Sequence, residues 1–171
     1  MDVSSVANSD SFKTTTPSDR EIVLTRLFDA PRRLVFDAMS KPEHVRRWWG
    51  QLGEGYSVPV CEIDFRPGGA WRFVNRHPKG EAAFHGVYRE IAPPERVVFT
   101  EIFELFPDVE SVITSVLTEE GSKTRLNPAR PPLGLASARN EARALEHAQV
   151  LRDGGHAHLE RLGELGDRAF A

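Results

Sequence analysis

The chain has 171 residues, 40% hydrophobic and 27% charged, which is the balance of one soluble domain with a core of its own. A formal net charge of −3 gives no electrostatic reason to expect a nucleic acid or an anionic membrane as partner. The single cysteine, Cys61, excludes an internal disulfide and any cysteine-rich metal site. No stretch approaches the ~20 apolar residues of a membrane-spanning helix.

The first 19 residues are polar, with eight serines or threonines and no apolar run. They therefore lack the hydrophobic segment of a secretory signal, and the cytoplasm is the expected compartment. They also lack the apolar side chains that would offset the entropy of ordering, so we predict a disordered tail over residues 1–19. Residues 20–171 are predicted to form a single domain.

Apolar and polar side chains alternate from Arg20 to Phe28, which predicts the first strand. Pro31 then opens a helix whose apolar residues recur at one-turn spacing. Ser40 is suited to cap a second short helix, with Glu43 three residues further on. Trp48 and Trp49 end that helix on its apolar side.

The segment from Val58 to Phe73 predicts a hairpin around which the rest of the sheet is built. Its first half places Cys61, Ile63 and Phe65 on one face of a strand. The run Arg66–Gly69 is a tight reversal, because proline restricts its own φ and glycine permits a positive one. The second strand restarts the alternation and puts Trp71 and Phe73 on a shared face.

Further strands are predicted over residues 84–91, 96–104 and 111–118, with another beginning at Lys123. Their short connections make consecutive strands antiparallel neighbours. The proline-rich stretch from Asn127 to Pro132 is predicted not to be a central strand, because each proline removes a ladder donor. From Asn140 onward, leucines and small residues at spacings of three and four predict a long C-terminal helix.

Several short motifs together resemble one protein family. They are Arg20–Arg26, Phe28–Pro31, Trp48–Gly50, Arg66–Gly69, Phe84–Ile91 and Pro93–Thr100. The family is the bacterial branch similar to the C-terminal domain of the heat-shock protein 90 ATPase activator, within the START-like (SRPBCC) superfamily. The proline-rich stretch over residues 127–138 departs from the family pattern, which has a β-rich strand and a short connection there.

The resemblance implies an α+β helix-grip fold. In that fold a curved antiparallel sheet of six or seven strands surrounds the long C-terminal helix, and two short helices follow the first strand. It also implies a hydrophobic cavity between sheet and helix. It carries over no catalytic residues, since members of the superfamily differ in ligand and activity.

Large aromatic residues and one histidine are the candidates for lining such a cavity. They are Trp48, Trp49, Trp71, Phe73, Phe84, His85, Tyr88, Phe99 and Phe103. In a ligand pocket, apolar walls supply contact area and a few polar groups set orientation. The competing interpretation is that these rings only pack the core. If they do, Trp71→Ala and Phe73→Ala should each cost roughly 3–5 kcal/mol of stability.

The sequence contains no motif that identifies a catalytic or metal site. His85 has no carboxylate placed beside it by spacing, so a structural histidine is favoured over a general base. His156 and His158 are two residues apart, which is the wrong spacing for one helical face and one metal ion. We therefore predict no catalytic residue, no metal and no cofactor.

Three functions remain open at this point. The first is a binding domain for a small apolar or aromatic ligand. The second is an enzyme of the polyketide cyclase or aromatase type, in which His85, Tyr88 or Arg89 would move protons. The third is an interaction module for a chaperone or a regulator protein, which would need an exposed apolar patch. Fold-level analogy does not choose among them.

Overall fold

A computed structural model describes residues 12–18, 21–50 and 54–130. Its elements, in chain order, are β1 Phe12–Ser18, β2 Glu21–Phe28, α1 Arg32–Ser40, α2 Pro42–Trp48, β3 Ser57–Ile63, β4 Ala70–His77, β5 Gly80–Ala92, β6 Arg96–Phe103, β7 Glu110–Glu120 and β8 Lys123–Arg130. The α+β class and the two short helices after the first predicted strand are confirmed. No helix in this part of the chain is long and apolar enough to cross a membrane.

All eight strands form one antiparallel sheet in the order β1-β2-β8-β7-β6-β5-β4-β3. Side chains alternate between its two faces. We call inner the face that packs against α1 and α2; it carries buried residues such as Leu24, Phe73, Phe84, Leu117 and Leu126. The opposite face, called outer, carries most of the charged side chains. The arrangement is consistent with a helix grip, while the predicted C-terminal helix lies outside the described residues.

The prediction of a disordered tail is wrong for residues 12–18, which form β1. This strand pairs with β2 from Phe12↔Arg26 to Ser18↔Glu21, with an irregularity between Thr15 and Ser18. It makes the sheet eight strands wide instead of six or seven. Composition did not reveal β1, because a polar strand at a sheet edge is held by backbone hydrogen bonds and needs little apolar burial of its own. Residues 1–11 lie outside the described part of the chain.

The prediction that the proline-rich stretch could not enter a central strand is also wrong. β8 runs through Pro128 and lies between β2 and β7. Its pairing with β7 is continuous through Ser115↔Pro128, whereas its pairs with β2 pass from Arg26↔Leu126 to Val23↔Ala129. The missing proline donor therefore interrupts the ladder on the β2 side only. Residues 131–138 lie outside the described residues.

The predicted hairpin of β3 and β4 is confirmed, with Cys61 opposite Phe73 and Ile63 opposite Trp71. Gly68 adopts a φ of 79° in the connecting turn, a conformation that glycine takes without strain. The turn is fastened to β5, because the Gly68 amide donates to the Tyr88 carbonyl and the Tyr88 amide donates to the Gly69 carbonyl. The hairpin thus determines the position of Tyr88 on the inner face.

Candidate functional site

Eight of the nine predicted cavity residues lie together on the inner face or on α2 beside it. Adjacent rings are in contact: the centroids of Trp71 and Phe73 are 4.8 Å apart, those of Trp49 and Phe73 5.0 Å, and those of Phe84 and Phe103 4.8 Å. We call this set the aromatic wall; it comprises Trp48, Trp49, Trp71, Phe73, Phe84, Tyr88, Phe99 and Phe103, extended by Phe36, Phe65 and Phe106.

Strand register assembles the wall from residues distant in sequence. Phe73 is opposite Phe84, and Phe84 is opposite Phe103, so three neighbouring strands each contribute one ring to the same row. Trp71 is opposite Gly86, and its indole N–H donates a 3.1 Å hydrogen bond to the Thr100 carbonyl. A side chain at position 86 would meet that carbonyl, so glycine is what lets the indole reach across β5.

Exposure divides the wall into two groups. Trp71, Phe73 and Phe84 are at most 6% exposed, and Phe103 is 8% exposed, so these rings pack core. Trp49 and Phe99 are only partly buried and pack against that core. These two rings therefore retain the surface that a bound molecule could touch. That any of the wall contacts a ligand stays a prediction.

The inner face also carries polar atoms, among them those of Tyr88 and Asn75. The Tyr88 hydroxyl makes no hydrogen bond to another described residue, although the side chain is buried. The buried Oδ1 of Asn75, on the same face of β4 as Phe73, likewise accepts no hydrogen bond from the described part of the chain. Burial raises the pKa of Tyr88, so this hydroxyl keeps its proton and is a hydrogen-bond donor.

Sequence reasoning missed Glu101, a carboxylate on the inner face. It is 7% exposed, pairs with Ser111 of β7, and lies on the same side of β6 as Phe99 and Phe103. The signal that could have found it is the alternation of β6 itself, which places residues 99, 101 and 103 on one face.

The ninth candidate, His85, lies on the outer face and away from the wall. Its Nδ1 is 3.3 Å from Oε1 of Glu104, and Arg72 binds the same carboxylate through two hydrogen bonds of 2.7 and 3.1 Å. These hydrogen bonds from Arg72 are the main cause that lowers the pKa of Glu104. The carboxylate beside His85 comes from a different strand, which is why spacing did not predict it.

The same outer face carries an open depression of about 530 Å³. None of the nine predicted residues lines it; its walls are Pro59, Val60, Arg72, Val74, Arg76, Glu81, Ala83, Glu104 and Leu105. Its charged groups already neutralise one another, since Arg72 pairs with Glu104 and Arg76 pairs with Glu81 at 2.7 Å. Leu105 is 70% exposed at its border.

Other candidates for chemistry are accounted for locally. Arg89 is exposed and pairs with Glu110 at 2.7 Å. Cys61 is 3% exposed, and burial raises its pKa, which favours a structural thiol over a nucleophile. Across the described strands and helices, no three His, Cys, Asp or Glu side chains are grouped as metal ligands. His147, His156 and His158 lie outside that part of the chain.

Comparison with known proteins now identifies the family. Residues 29–166 match the family described as activator of Hsp90 ATPase homolog 1-like protein. The chain belongs to this family. The resemblance inferred from the sequence motifs is thereby confirmed, while no protein among curated sequences matches significantly.

Several solved structures share the fold. A protein of Rhodobacter sphaeroides is 20% identical, with a TM-score of 0.73 over 91% of this chain and 97% of its own. One of Chromobacterium violaceum is 26% identical, with a TM-score of 0.68 over 85% and 96%. An HSP90 activator from Plasmodium falciparum is 18% identical, with a TM-score of 0.58 over 78% and 87%.

Proposed function

We propose that this member of the family binds a small apolar or aromatic molecule on the inner face of the sheet. The observation that carries the proposal is the aromatic wall, in which two rings are only partly buried, together with a buried polar atom on the same face that has no hydrogen-bond partner among the described residues. A wall that only packs core would be expected to satisfy its polar atoms internally. Here the buried Oδ1 of Asn75 accepts no hydrogen bond from the described residues, and Trp49 and Phe99 are only partly buried against the core.

The polar groups of the wall suit binding better than proton transfer. The hydroxyl of Tyr88 is protonated, so it can donate a hydrogen bond but is not a general base. His85 and Arg89, the other proton carriers considered for a cyclase, are on the outer face and already paired with carboxylates. We therefore favour a binding domain over an enzyme.

Native mass spectrometry of the purified protein, compared with the same sample under denaturing conditions, tests this proposal. We expect an added mass that is present in the native spectrum and absent after denaturation. The Phe99→Ala variant should lose that mass, whereas Leu105→Ala on the outer face should retain it. An unliganded protein that also binds no apolar fluorescent probe would contradict the proposal.

A second candidate function is contact with a partner protein. The family description, the activator from P. falciparum and the exposed Leu105 favour it. Among the described residues, however, only Val87 and Leu105 are large exposed hydrophobic side chains, which is a small area for docking. The test is whether the protein changes the ATPase rate of an Hsp90 chaperone, with Leu105→Ser as the variant that should remove the effect.

A further inference from the structure

The connection between β6 and β7, residues 104–109, passes from one face of the sheet to the other. Glu104, its first residue, lies on the outer face, where Arg72 binds its carboxylate. Phe106 packs against the inner-face core, with its ring centroid 5.9 Å from that of Phe103. In a continuing strand, residues 104 and 106 would share a face. The chain turns instead, because the Phe106 amide donates a 2.8 Å hydrogen bond to the Phe103 carbonyl.

Phe106 extends a row of rings that crosses the inner face. Phe73, Phe84 and Phe103 lie opposite one another on β4, β5 and β6, and Phe106 lies beside Phe103. Trp49, one of the two partly buried rings of the aromatic wall, contacts the same row, with its centroid 6.2 Å from that of Phe84. Because close-packed side chains transmit displacements, a shift of Phe106 would alter the packing of this row.

Side chains of two neighbouring strands hold the start of this connection on the outer face. Arg72 of β4 donates hydrogen bonds of 2.7 and 3.1 Å to the two carboxylate oxygens of Glu104. Nδ1 of His85 on β5 lies 3.3 Å from one of these oxygens. Glu62 of β3 is opposite Arg72 and further favours its positive charge. We call Arg72, His85 and Glu104 the Glu104 cluster; its bidentate pair fixes the orientation of residue 104 as well as adding energy.

We propose that Glu104 is a positioning residue for the binding face. The Glu104 cluster fixes the turn that follows β6, and this turn keeps Phe106 packed on Phe103 beside the row of rings. Loss of the cluster destabilises the connection over residues 104–109 and weakens the binding of an apolar ligand. The inference rests on the proposed binding function and adds to it a means by which charge on the outer face controls affinity on the inner face.

Hydrogen exchange followed by mass spectrometry measures the stability of the connection directly. In the full-length protein, Glu104→Gln should make the amides of residues 104–109 exchange about two- to fivefold faster, the range of one exposed ion pair. Arg72→Gln removes the same interaction from its other side and should have the same effect, and the double variant should add nothing. Glu81→Gln is the matched control. It removes an equally short ion pair, 2.7 Å to Arg76, from the same outer face and should leave this exchange unchanged.

Titration with the neutral dye phenylnaphthylamine measures the consequence for binding. Its Kd should rise about two- to fivefold in Glu104→Gln and stay unchanged in Glu81→Gln. The difference between the unmodified protein and Glu104→Gln should be present at neutral pH. It should disappear as the pH falls through the lowered pKa of Glu104, below 4.5, because the carboxyl then loses its charge. The other charged or titratable groups of this site, Arg72, His85 and Glu62, are common to both proteins, so the difference isolates Glu104.

The outcomes separate this inference from the proposed function. Unchanged exchange of residues 104–109 in both Glu104→Gln and Arg72→Gln would overturn the inference and leave the binding function standing. Faster exchange with unchanged dye affinity would confine Glu104 to a structural role and overturn its part in binding. Failure of the unmodified protein to bind the dye would overturn the proposed function itself, and with it the role of Glu104 in binding.

Discussion

Gly86 is the residue on which the position of Trp71 depends. A Cβ there would lie 1.8 Å from the Thr100 carbonyl oxygen and 2.9 Å from the indole nitrogen of Trp71. Gly86→Ala should therefore destabilise the protein by roughly 1–3 kcal/mol or more in urea unfolding. Val87→Ala, the exposed neighbour, should cost no more than about 1 kcal/mol. Equal costs would mean that the strands separate freely at this point.

The two groups of the aromatic wall should respond differently to truncation. Trp71→Ala and Phe73→Ala remove buried rings, so each should cost roughly 3–5 kcal/mol in urea unfolding. Phe99→Ala should cost less stability, because that ring is only partly buried. It should nevertheless weaken binding of an apolar probe. Large losses of stability for all three, with probe binding unchanged, would assign the whole wall to the core.

Glu104 should contribute a pH dependence to stability. Its pKa in the folded protein is lowered from 4.5, mainly by the hydrogen bonds from Arg72 and further by His85. A depressed folded pKa contributes stability that is present above the unfolded pKa and is lost as the pH falls through the folded pKa. The pair is partly exposed, so the effect should be below about 1 kcal/mol.

Urea unfolding from neutral pH down through the range below 4.5 measures this contribution. Glu104→Gln should flatten the acid limb of the stability curve, and Arg72→Gln should flatten it similarly. The double variant should add nothing further, because both changes remove one interaction. Additive effects would show that the two side chains act independently.

At the scale of elements, β1 protects the edge of the sheet. Its hydrogen bonds satisfy backbone groups of β2, which would be the edge strand of the sheet without β1. Deleting residues 1–18 should lower the unfolding temperature and promote self-association, because the exposed ladder of β2 is a template for another chain. Size-exclusion chromatography and thermal unfolding measure both effects. Deleting only residues 1–11 is the control, and identical behaviour of the two deletions would count against a stabilising role of β1.

β8 illustrates how neighbouring strands override a local rule. Its single proline within the strand, Pro128, leaves the pairing with β7 intact and affects only the side toward β2. A strand with two partners keeps one complete ladder when it loses a donor on the other side. An isolated proline can therefore lie in a central strand when the interruption that it causes is confined to the hydrogen-bond ladder on one side.

At the scale of the whole molecule, ligand binding should stabilise the fold. At a concentration of one hundred times Kd, a ligand specific for the folded state adds about 2.7 kcal/mol. For a chain of this size that corresponds to an increase in Tm of roughly 5–10 °C. Differential scanning fluorimetry in the presence of an apolar ligand measures the shift. Leu105→Ser should not change it, and its loss in that variant would move the site to the outer depression.

Much of the inner face could be predicted from the sequence. Alternation identifies which side of each strand is apolar, and the match to a family supplies the helices and the order of the meander. Eight of nine candidate residues therefore meet on one surface. The exception, His85, alternates with Phe84 and by the same rule belongs to the opposite face. That error came from favouring residue type over position.

The sequence by itself determined the alternation of apolar and polar residues in each strand, the hairpin turn at Gly68 and the aromatic residues of the inner face, because these depend on neighbours a few residues apart. Only the tertiary structure decided the pairing of β1 with β2, the central place of β8 and the meeting of His85 with Glu104. Each of these depends on register between strands distant in sequence. Register follows from the burial of a whole face and from backbone hydrogen bonding, and neither is encoded in a local pattern.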